Sequence, residues 1–413
     1  MAKIYPFRAY RPPKEYAGKI ASLPYDVLDS DEARELAKDD DFTFLHIVKS
    51  EIDLNPSINL YDERVYQKAV ENLQKFFNQK LLIQDQKPCL YIYTQKMGNH
   101  LQKGLVACAS IDDYKNNIIK KHELTRAEKE NDRFRHIEAT NANTGPVFLT
   151  YRAQKEIDEI IEKEIAKGPV YSFIARDDIE HTVYIIDDDK TMKTLVSKFD
   201  NINYLYIADG HHRSAATVKV GFEKRKNNPN HKGDEEYNRF LAVLFPHNQL
   251  QILDYNRVVK DLHNDTPEGF LKKIRDKFNI EEKQGRYKPI KRHAIGMYLE
   301  KKWYRISPKE GTYDTKDPIK SLDVSILQNN LLSPILNITD PRTDKRINFV
   351  GGIRGISELE RLVDSGAYKV AFAMYPVSIE ELMAIADAGE ILPPKSTWFE
   401  PKLRSGLFIH KLE

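Results

Sequence analysis

The segment Asp209–Arg213 has the composition of a phosphate-binding turn. It reads Asp-Gly-His-His-Arg, follows the apolar residues 204–208 of a predicted strand, and leads into a predicted helix that ends near residue 222. A helix N-terminus presents unpaired N–H groups and the positive end of the helix dipole, which attract phosphate. Gly210 allows close backbone approach, and Arg213 can form two parallel hydrogen bonds to one phosphate. The segment therefore predicts phosphate binding at a strand–helix junction.

Three other side chains of this junction are candidates for catalysis. Asp209 can cap the helix or coordinate a divalent cation through its carboxylate oxygens. His211 and His212 can donate hydrogen bonds to phosphate, shuttle protons or bind a metal. The structural alternative is that Asp209 is only a cap and that both histidines are partly buried side chains.

A second charged segment, residues 121–133, contains a candidate general base. Glu123 lies beside Lys121 and His122, and cationic neighbours tune the protonation of a carboxylate. His122 and Glu123 are therefore candidate catalytic residues. The segment is not the zinc motif HExxH, because Arg126 occupies the place of the second histidine. A solvated, charged helix is the alternative interpretation.

Small polar side chains in residues 141–146 form a candidate substrate-binding segment. The sequence Asn-Ala-Asn-Thr-Gly-Pro precedes a predicted strand at Val147–Tyr151. The candidate substrate-binding residues of this region are Asn141, Asn143 and Thr144, together with Arg133. A simple loop before the strand explains the same composition.

A second phosphate loop is predicted near the end of the sequence. Hydroxyl and cationic side chains gather within a short span, in which the candidate phosphate-binding residues are Lys395, Ser396, Thr397 and Arg404. Neither the Walker sequence GxxxxGK[ST] nor the dinucleotide fingerprint GxGxxG occurs in the chain. An exposed basic loop explains the composition of this span equally well.

The composition limits the classes of partner. The 413 residues include 64 Lys and Arg against 62 Asp and Glu, which gives a formal net charge of +2. This balance argues against a polycationic nucleic-acid binder. Only two cysteines occur, Cys89 and Cys108, and no apolar run is long enough for a signal peptide core or a membrane span. We therefore expect a cytoplasmic protein that acts on small molecules, without a nucleic-acid or membrane partner.

Hydrophobic periodicity predicts a mixed α+β protein. We expect two domains, residues 1–260 and 261–413. The predicted helices cover residues 30–37, 60–79, 154–167, about 210–222, 267–278, 322–332, 357–363 and 379–388. The predicted strands cover residues 89–94, 105–110, 147–151, 170–175, 182–186, 204–208, 239–245, 294–299, 303–306 and 368–377.

The motifs together resemble one full-length family that is catalogued as a domain of unknown function. The resemblance rests on PFRAYRP at 6–12, LPYDV at 23–27, HELT at 122–125, NANTGP at 141–146, DGHHR at 209–213, DYNRVV at 254–259 and PPKSTWFEPKLRSG at 393–406. DGHHR is similar to the signature of ParB/sulfiredoxin-like proteins, in which a Gly-x-x-Arg core binds phosphate. The resemblance implies a ParB/sulfiredoxin-like core with insertions and a C-terminal α/β domain that contributes a phosphate-binding loop.

This resemblance also implies an activity. Some members of the family are pyrophosphate-dependent kinases that convert L-serine to O-phospho-L-serine with Mg²⁺, a reaction that can run in reverse. Glu123 would then be the base, Gly210–Arg213 would hold the donor phosphates, and Asp209 would lie near the metal. An insertion around residues 154–200 would separate Glu123 from Asp209 in the sequence.

Rival interpretations stay open at this point. The same site would suit a phosphoserine phosphatase or a serine kinase that uses ATP or ADP. The non-enzymatic rival is a ParB-like regulator that binds nucleotide or DNA. The expected small-molecule partners are L-serine or phosphoserine, and pyrophosphate or phosphate.

Overall fold

Helices and strands are mixed along the whole chain in a computed structural model that describes residues 1–413. The predicted mixed α+β class is confirmed. The chain divides into unit 1, residues 1–250 with 401–413, and unit 2, residues 251–400. None of the helices combines the length and the apolar character that crossing a membrane requires.

Unit 1 contains nine α-helices and most of the strands. The helices are α1 (Ala17–Ile20), α2 (Ser30–Ala37), α3 (Leu45–Val48), α4 (Glu63–Asn78), α5 (Ile111–Lys115), α6 (Ala127–Thr140), α7 (Lys155–Ile165), α8 (Asp189–Phe199) and α9 (His211–Asn227). The strands are β1 (Ile4–Tyr5), β2 (Tyr10–Arg11), β3 (Ile83–Gln84), β4 (Leu90–Met97), β5 (His100–Ser110), β6 (Ile119–Lys120), β7 (Ala142–Asn143), β8 (Val147–Tyr151), β9 (Tyr171–Ile174), β10 (Glu180–Ile186), β11 (Leu205–Asp209) and β12 (Arg239–Pro246).

Unit 2 is built around an antiparallel sheet. Its helices are α10 (Pro267–Ile274), α11 (Asp323–Leu327), α12 (Ser357–Asp364) and α13 (Ile379–Asp387). Its strands are β13 (Gln251–Leu253), β14 (Tyr255–Val259), β15 (Phe278–Lys283), β16 (Ile295–Leu299), β17 (Lys302–Pro308), β18 (Ile347–Gly351), β19 (Val370–Ala373) and β20 (Trp398–Glu400). The six-stranded sheet has the order β15-β17-β16-β19-β14-β18, and β13 pairs with β20.

The main sheet of unit 1 has the order β6-β11-β8-β12-β5-β4-β10-β9, with β1 also paired to β5. The pairs β6–β11 and β8–β12 are parallel, and the other pairs are antiparallel. Residues 154–200, where we expect an insertion, contain α7, β9, β10 and α8. The two strands of this segment extend the sheet beyond β4, at the opposite end from β6, β11 and β8.

Alternation of side chains along the strands gives the sheet two buried faces. On β4, Leu90 and Ile92 belong to a core that includes Ile157 of α7 and Phe199 of α8. Tyr91 and Tyr93, which alternate with them, face the opposite way and contact Phe408. The sheet is therefore covered on both sides, with α7 and α8 on one face.

The domain boundary expected near residue 260 lies at residues 250 and 251 instead. The reason is that β14 pairs with β18 and β19 inside the sheet of unit 2. The end of the chain also differs from the expectation. Residues 401–413 return to unit 1, where β21 (His410–Lys411) pairs with β7 and Ser405 pairs with Ser22.

One helix boundary near the candidate site also differs from the sequence prediction. α9 continues to Asn227, past the predicted end at residue 222. Lys224, Arg225 and Lys226 fill its last turn, where cations stabilise the negative end of the helix dipole. Residues 121–126 are not helical, because α6 begins only at Ala127.

Helix α9 packs too closely at Gly221 to accept a side chain. A Cβ there would overlap the Tyr237 carbonyl oxygen and would lie 2.8 Å from Ile111 Cδ1. Although alanine has the higher helix propensity, we expect Gly221→Ala to lower the free energy of unfolding by about 1–3 kcal/mol. Urea denaturation would measure this, with the exposed Glu223→Ala on the same helix as the control, expected to stay within about 0.5 kcal/mol of wild type. A stabilised Gly221→Ala variant would contradict the packing described here.

Candidate active site

Strand pairing brings three of the predicted segments to one end of the sheet. β11 runs parallel to β6, so the residues that follow each strand lie at the same end. β8 runs antiparallel to β11, so the residues that precede β8 lie there as well. The HELT, DGHHR and NANTGP segments are therefore neighbours, although they are far apart in the sequence.

The junction of β11 and α9 has the geometry of an anion site. Gly210 is the N-cap of α9 with a φ of +97°, and no side chain caps the first turn. A Cβ at Gly210 would lie 3.2 Å from the Arg213 guanidinium carbon, so both conformation and space require glycine. The N–H groups of the first turn have no partner within the helix and are the natural donors to a phosphate.

Two cations flank the carboxylate of Asp209 at this turn. Arg213 Nη2 lies 3.2 Å from Asp209 Oδ2, and Lys402 Nζ lies 3.8 Å from Oδ1. Arg213 Nη1 donates to the carbonyl oxygen of Pro146, and Arg213 Nε is buried without a hydrogen-bond partner. The guanidinium thus ties the turn to the NANTGP segment. One carboxylate between two cations leaves this part of the site positive.

Glu123 lies beside the first histidine of the DGHHR segment. Its Oε2 is 3.8 Å from His211 Nδ1, and its side chain is 39% exposed. The ring of His122 meets the ring of His211 edge to face at a centroid distance of 4.5 Å. Burial lowers the pKa of His211 to about 4 and holds the pKa of His122 well below its usual value. Both imidazoles are therefore neutral at physiological pH, and His211 is a poor proton acceptor.

The second histidine of the segment has a different partner. His212 Nε2 accepts a hydrogen bond of 3.0 Å from the backbone N–H of Arg126, the N-cap residue of α6. The two adjacent histidines therefore contact the same HELT segment in different ways, one through the Glu123 side chain and the other through the main chain.

Arg133 belongs to a buried group of charged and aromatic side chains. Its guanidinium lies 2.6 Å from the Asp132 carboxylate and 3.9 Å from the centre of the Tyr25 ring. Burial raises the pKa of the Tyr25 phenol, while the charges of Arg133 and Arg213 oppose this shift. Tyr25 thus lies near both the substrate-binding candidate Arg133 and the phosphate-binding candidate Arg213.

The two asparagines of the NANTGP segment make structural contacts with α9, the main sheet and α6. Asn143 donates to Thr217 Oγ1 of α9 at 3.1 Å and accepts from the backbone N–H of Leu241 at 3.0 Å. Asn141 ends α6 in the left-handed conformation, and Thr144 is buried. These contacts connect α9 to the sheet.

The predicted C-terminal phosphate residues are divided between the two units. Arg404 lies in unit 1 and is buried, with its guanidinium bound to Asp177 and 3.2 Å from His181 Nε2. Lys395, Ser396 and Thr397 lie in unit 2. There the Ser396 hydroxyl donates to the Pro393 carbonyl at 2.6 Å, and the Lys395 carbonyl accepts from Arg257 at 3.0 Å.

The family model DUF1015, which describes a protein of unknown function, matches residues 4–325. The chain belongs to the DUF1015 family. This confirms the family expected from the motifs. No curated protein sequence matches the chain.

Several solved structures resemble the DUF1015 chain at low identity. A free serine kinase in complex with AMP is 14% identical, with a TM-score of 0.36 over 71% of this chain and 86% of that chain. A conserved hypothetical protein from Pyrococcus furiosus is 14% identical, with a TM-score of 0.35 over 73% of this chain and 93% of that chain. C-terminally truncated SbnI from Staphylococcus aureus is 11% identical, with a TM-score of 0.37 over 71% of this chain and 82% of that chain.

The residues of the DUF1015 protein do not form a cage for a metal ion. No group of three or more His, Cys, Asp or Glu side chains is arranged to hold one. Asp209 supplies one carboxylate at the phosphate-binding turn. Mg²⁺ commonly binds through one or two carboxylates together with the phosphates of a substrate. The side chains therefore fit a metal that arrives with phosphate rather than a resident ion.

Tyr25, Lys402 and Ser405 were not among the site residues predicted from the sequence. Lys402 pairs with Asp209, and a Cβ at Gly145 would lie 2.9 Å from Ser405 Oγ. Tyr25 lies in the LPYDV motif, and Lys402 and Ser405 lie in the PKLRSG motif. However, only the return of residues 401–413 to unit 1 shows that Lys402, rather than Arg404, lies at the turn.

The buried histidine pair makes the stability of the DUF1015 protein sensitive to acid. In the unfolded chain an imidazole takes up a proton near pH 6.5, whereas folded His211 does so only at about pH 4. The unfolded state therefore binds more protons between these values, and stability is lost as the pH falls from about 6.5 toward 4. We expect His211→Gln to reduce this loss by about 1 kcal/mol per pH unit, measured by urea denaturation between about pH 7 and pH 5. An unchanged pH dependence would show that His211 is not held neutral.

Proposed function

We propose that this DUF1015 protein is a small-molecule phosphotransferase, and specifically a pyrophosphate-dependent L-serine kinase that works with Mg²⁺. The observation that carries the proposal is the meeting of a carboxylate with a positive, uncapped helix N-terminus. Glu123 lies beside His211 of the first turn of α9. Arg213 of the same turn and Lys402 of the C-terminal segment flank Asp209 next to it. This places a base for an acceptor hydroxyl next to a site for donor phosphate.

Phosphoryl transfer needs positioning and charge neutralisation more than covalent chemistry by the protein. The serine hydroxyl oxygen forms a bond to one phosphorus of pyrophosphate, and the bridging P–O bond to the other phosphorus breaks. The leaving group is inorganic phosphate, and the hydroxyl proton passes to the carboxylate of Glu123. The first-turn N–H groups of α9 and the two cations bind the transferred and leaving phosphates.

Three features support the assignment of roles. The neutral His211 lies beside Glu123 and does not compete for the proton. Arg213 reaches the phosphates from the turn, because its Nη1 and Nη2 groups each carry a further N–H that can turn to a ligand. Asp209 would hold the magnesium ion that arrives with pyrophosphate, and Mg²⁺ would neutralise negative charge on the leaving phosphate. We also propose a cytoplasmic location, which the free thiols of Cys89 and Cys108 support.

The deciding assay incubates the protein with L-serine, Mg²⁺ and one donor at a time. We expect pyrophosphate to give O-phospho-L-serine and inorganic phosphate in equal amounts, followed by ³¹P NMR. If O-phospho-L-serine forms only with ATP or ADP, the phosphoryl donor is a nucleotide and not pyrophosphate. Release of phosphate from phosphoserine without transfer would favour a phosphatase. No product with any donor and no serine from phosphoserine and phosphate would refute the kinase.

Glu123 is the expected base of the reaction. Glu123→Gln keeps the shape of the side chain but cannot take the proton, so kcat should fall by about 10²–10⁴-fold. The matched control is the exposed Glu128→Gln, for which we expect a kcat within about twofold of wild type. Initial rates of phosphoserine formation would measure kcat for both variants. A wild-type kcat in Glu123→Gln would show that Glu123 is not the base.

Lys402 is expected to bind the donor. Lys402→Ala removes a charge-assisted contact to phosphate, so the KM for pyrophosphate should rise by about 10–100-fold. Lys411→Ala is the control, since it removes a cation of the same segment that lies 3.6 Å from the Glu413 carboxylate. A KM that is the same in Lys402→Ala, Lys411→Ala and wild type would exclude Lys402 from the donor site.

A further inference from the structure

We infer that His212 is a positioning residue that fixes the main chain of the HELT segment and thereby places Glu123. This inference rests on the proposed function of Glu123 as the base. The sequence predicts His212 as a catalytic residue, with a partly buried structural side chain as the alternative. The geometry points to a third role, in which His212 acts through the main chain at the end of the HELT segment.

The contact itself links the starts of two helices. His212 lies in the first turn of α9, and its Nε2 accepts the 3.0 Å hydrogen bond from the Arg126 N–H. Arg126 is the N-cap of α6, and no side chain caps that helix. An imidazole nitrogen that accepts a hydrogen bond is unprotonated, so the proton of neutral His212 must be on Nδ1. The bond therefore fixes both the tautomer and the end point of the HELT segment.

Contacts at both ends fix the HELT segment. At its start, Lys120 pairs with Tyr206 of β11, and the next-but-one residue, His122, is buried against the ring of His211. Near its end, Thr125 Oγ1 donates to Glu130 within the following helix. Leu124 is 62% exposed, so apolar burial does not anchor this second half. His212 holds the end of the segment from the phosphate-binding helix, through the hydrogen bond to Arg126.

The two adjacent histidines point in different directions from α9. Successive residues of an α-helix point about 100° apart, so His211 faces the Glu123 carboxylate while His212 faces the Arg126 main chain. In this way the helix that binds the donor also sets the location of the base. A shift of about 1 Å at a reacting group can cost about a hundredfold in rate.

The test compares two replacements of His212 in two backgrounds. His212→Ala removes the acceptor and should lower kcat by about 10–100-fold, with the KM for pyrophosphate within about twofold of wild type. His212→Gln supplies an amide oxygen near the position of Nε2 and should restore most of the rate. In a Glu123→Gln background, His212→Ala should lower kcat by less than about twofold, because the base it positions is already gone. An equal loss in both backgrounds, or a large rise in donor KM, would overturn the inference and make His212 a donor ligand.

A measurement that needs no turnover separates this inference from the proposed function. Hydrogen exchange of the Arg126 amide should be at least about tenfold faster in His212→Ala than in wild type, and slow again in His212→Gln. Unchanged protection in His212→Ala would overturn the hydrogen-bond role. If protection responds as expected while the wild-type protein phosphorylates nothing, the kinase proposal fails and the His212 link stands.

Discussion

The short parallel pairing of β6 with β11 is the constraint on which the candidate site depends. It joins Leu205 to Ile119 and Tyr206 to Lys120. Because the strands are parallel, the chain leaves both of them at the same end of the sheet. Glu123 therefore meets the start of α9, although α6, β8 and residues 154–200 lie between them in the sequence. The strands of residues 154–200 lie at the far end of the sheet, beyond β4 and away from these contacts.

The second requirement of the site is a local excess of positive charge in a chain whose net charge is only +2. Residues from distant segments supply it, since Arg213 comes from α9 and Lys402 from the returning C-terminal segment. Asp209 holds the two cations in place through its two oxygens. In the proposed reaction, the negative charge of pyrophosphate would pair with part of the positive charge of Arg213 and Lys402. The neutral imidazoles of His122 and His211 add polarity without adding repulsion between cations.

The sequence predicted the strand–turn–helix unit at residues 209–213 because its signals are local: an apolar strand, a glycine with positive φ and a polar helix start. It also predicted Glu123 as a candidate base from its cationic neighbours, whereas only the family resemblance linked Glu123 to residues 209–213. The role of Lys402 could not be predicted, because it depends on a backbone pairing of Ser405 with Ser22 that no local pattern encodes. For the same reason Arg404 was chosen as a phosphate ligand, whereas its side chain is bound to Asp177. The extension of α9 to Asn227 was missed because its basic last turn has the composition of a loop.

The proposed function requires that three separate segments build a single phosphate site at the start of α9. A crystal structure of the wild-type protein with magnesium pyrophosphate would test it most directly. We predict one phosphate group on the first-turn N–H groups of α9, within hydrogen-bond distance of Arg213 and Lys402 and on the side that faces Glu123. Pyrophosphate bound elsewhere, with this turn free of phosphate, would contradict the account.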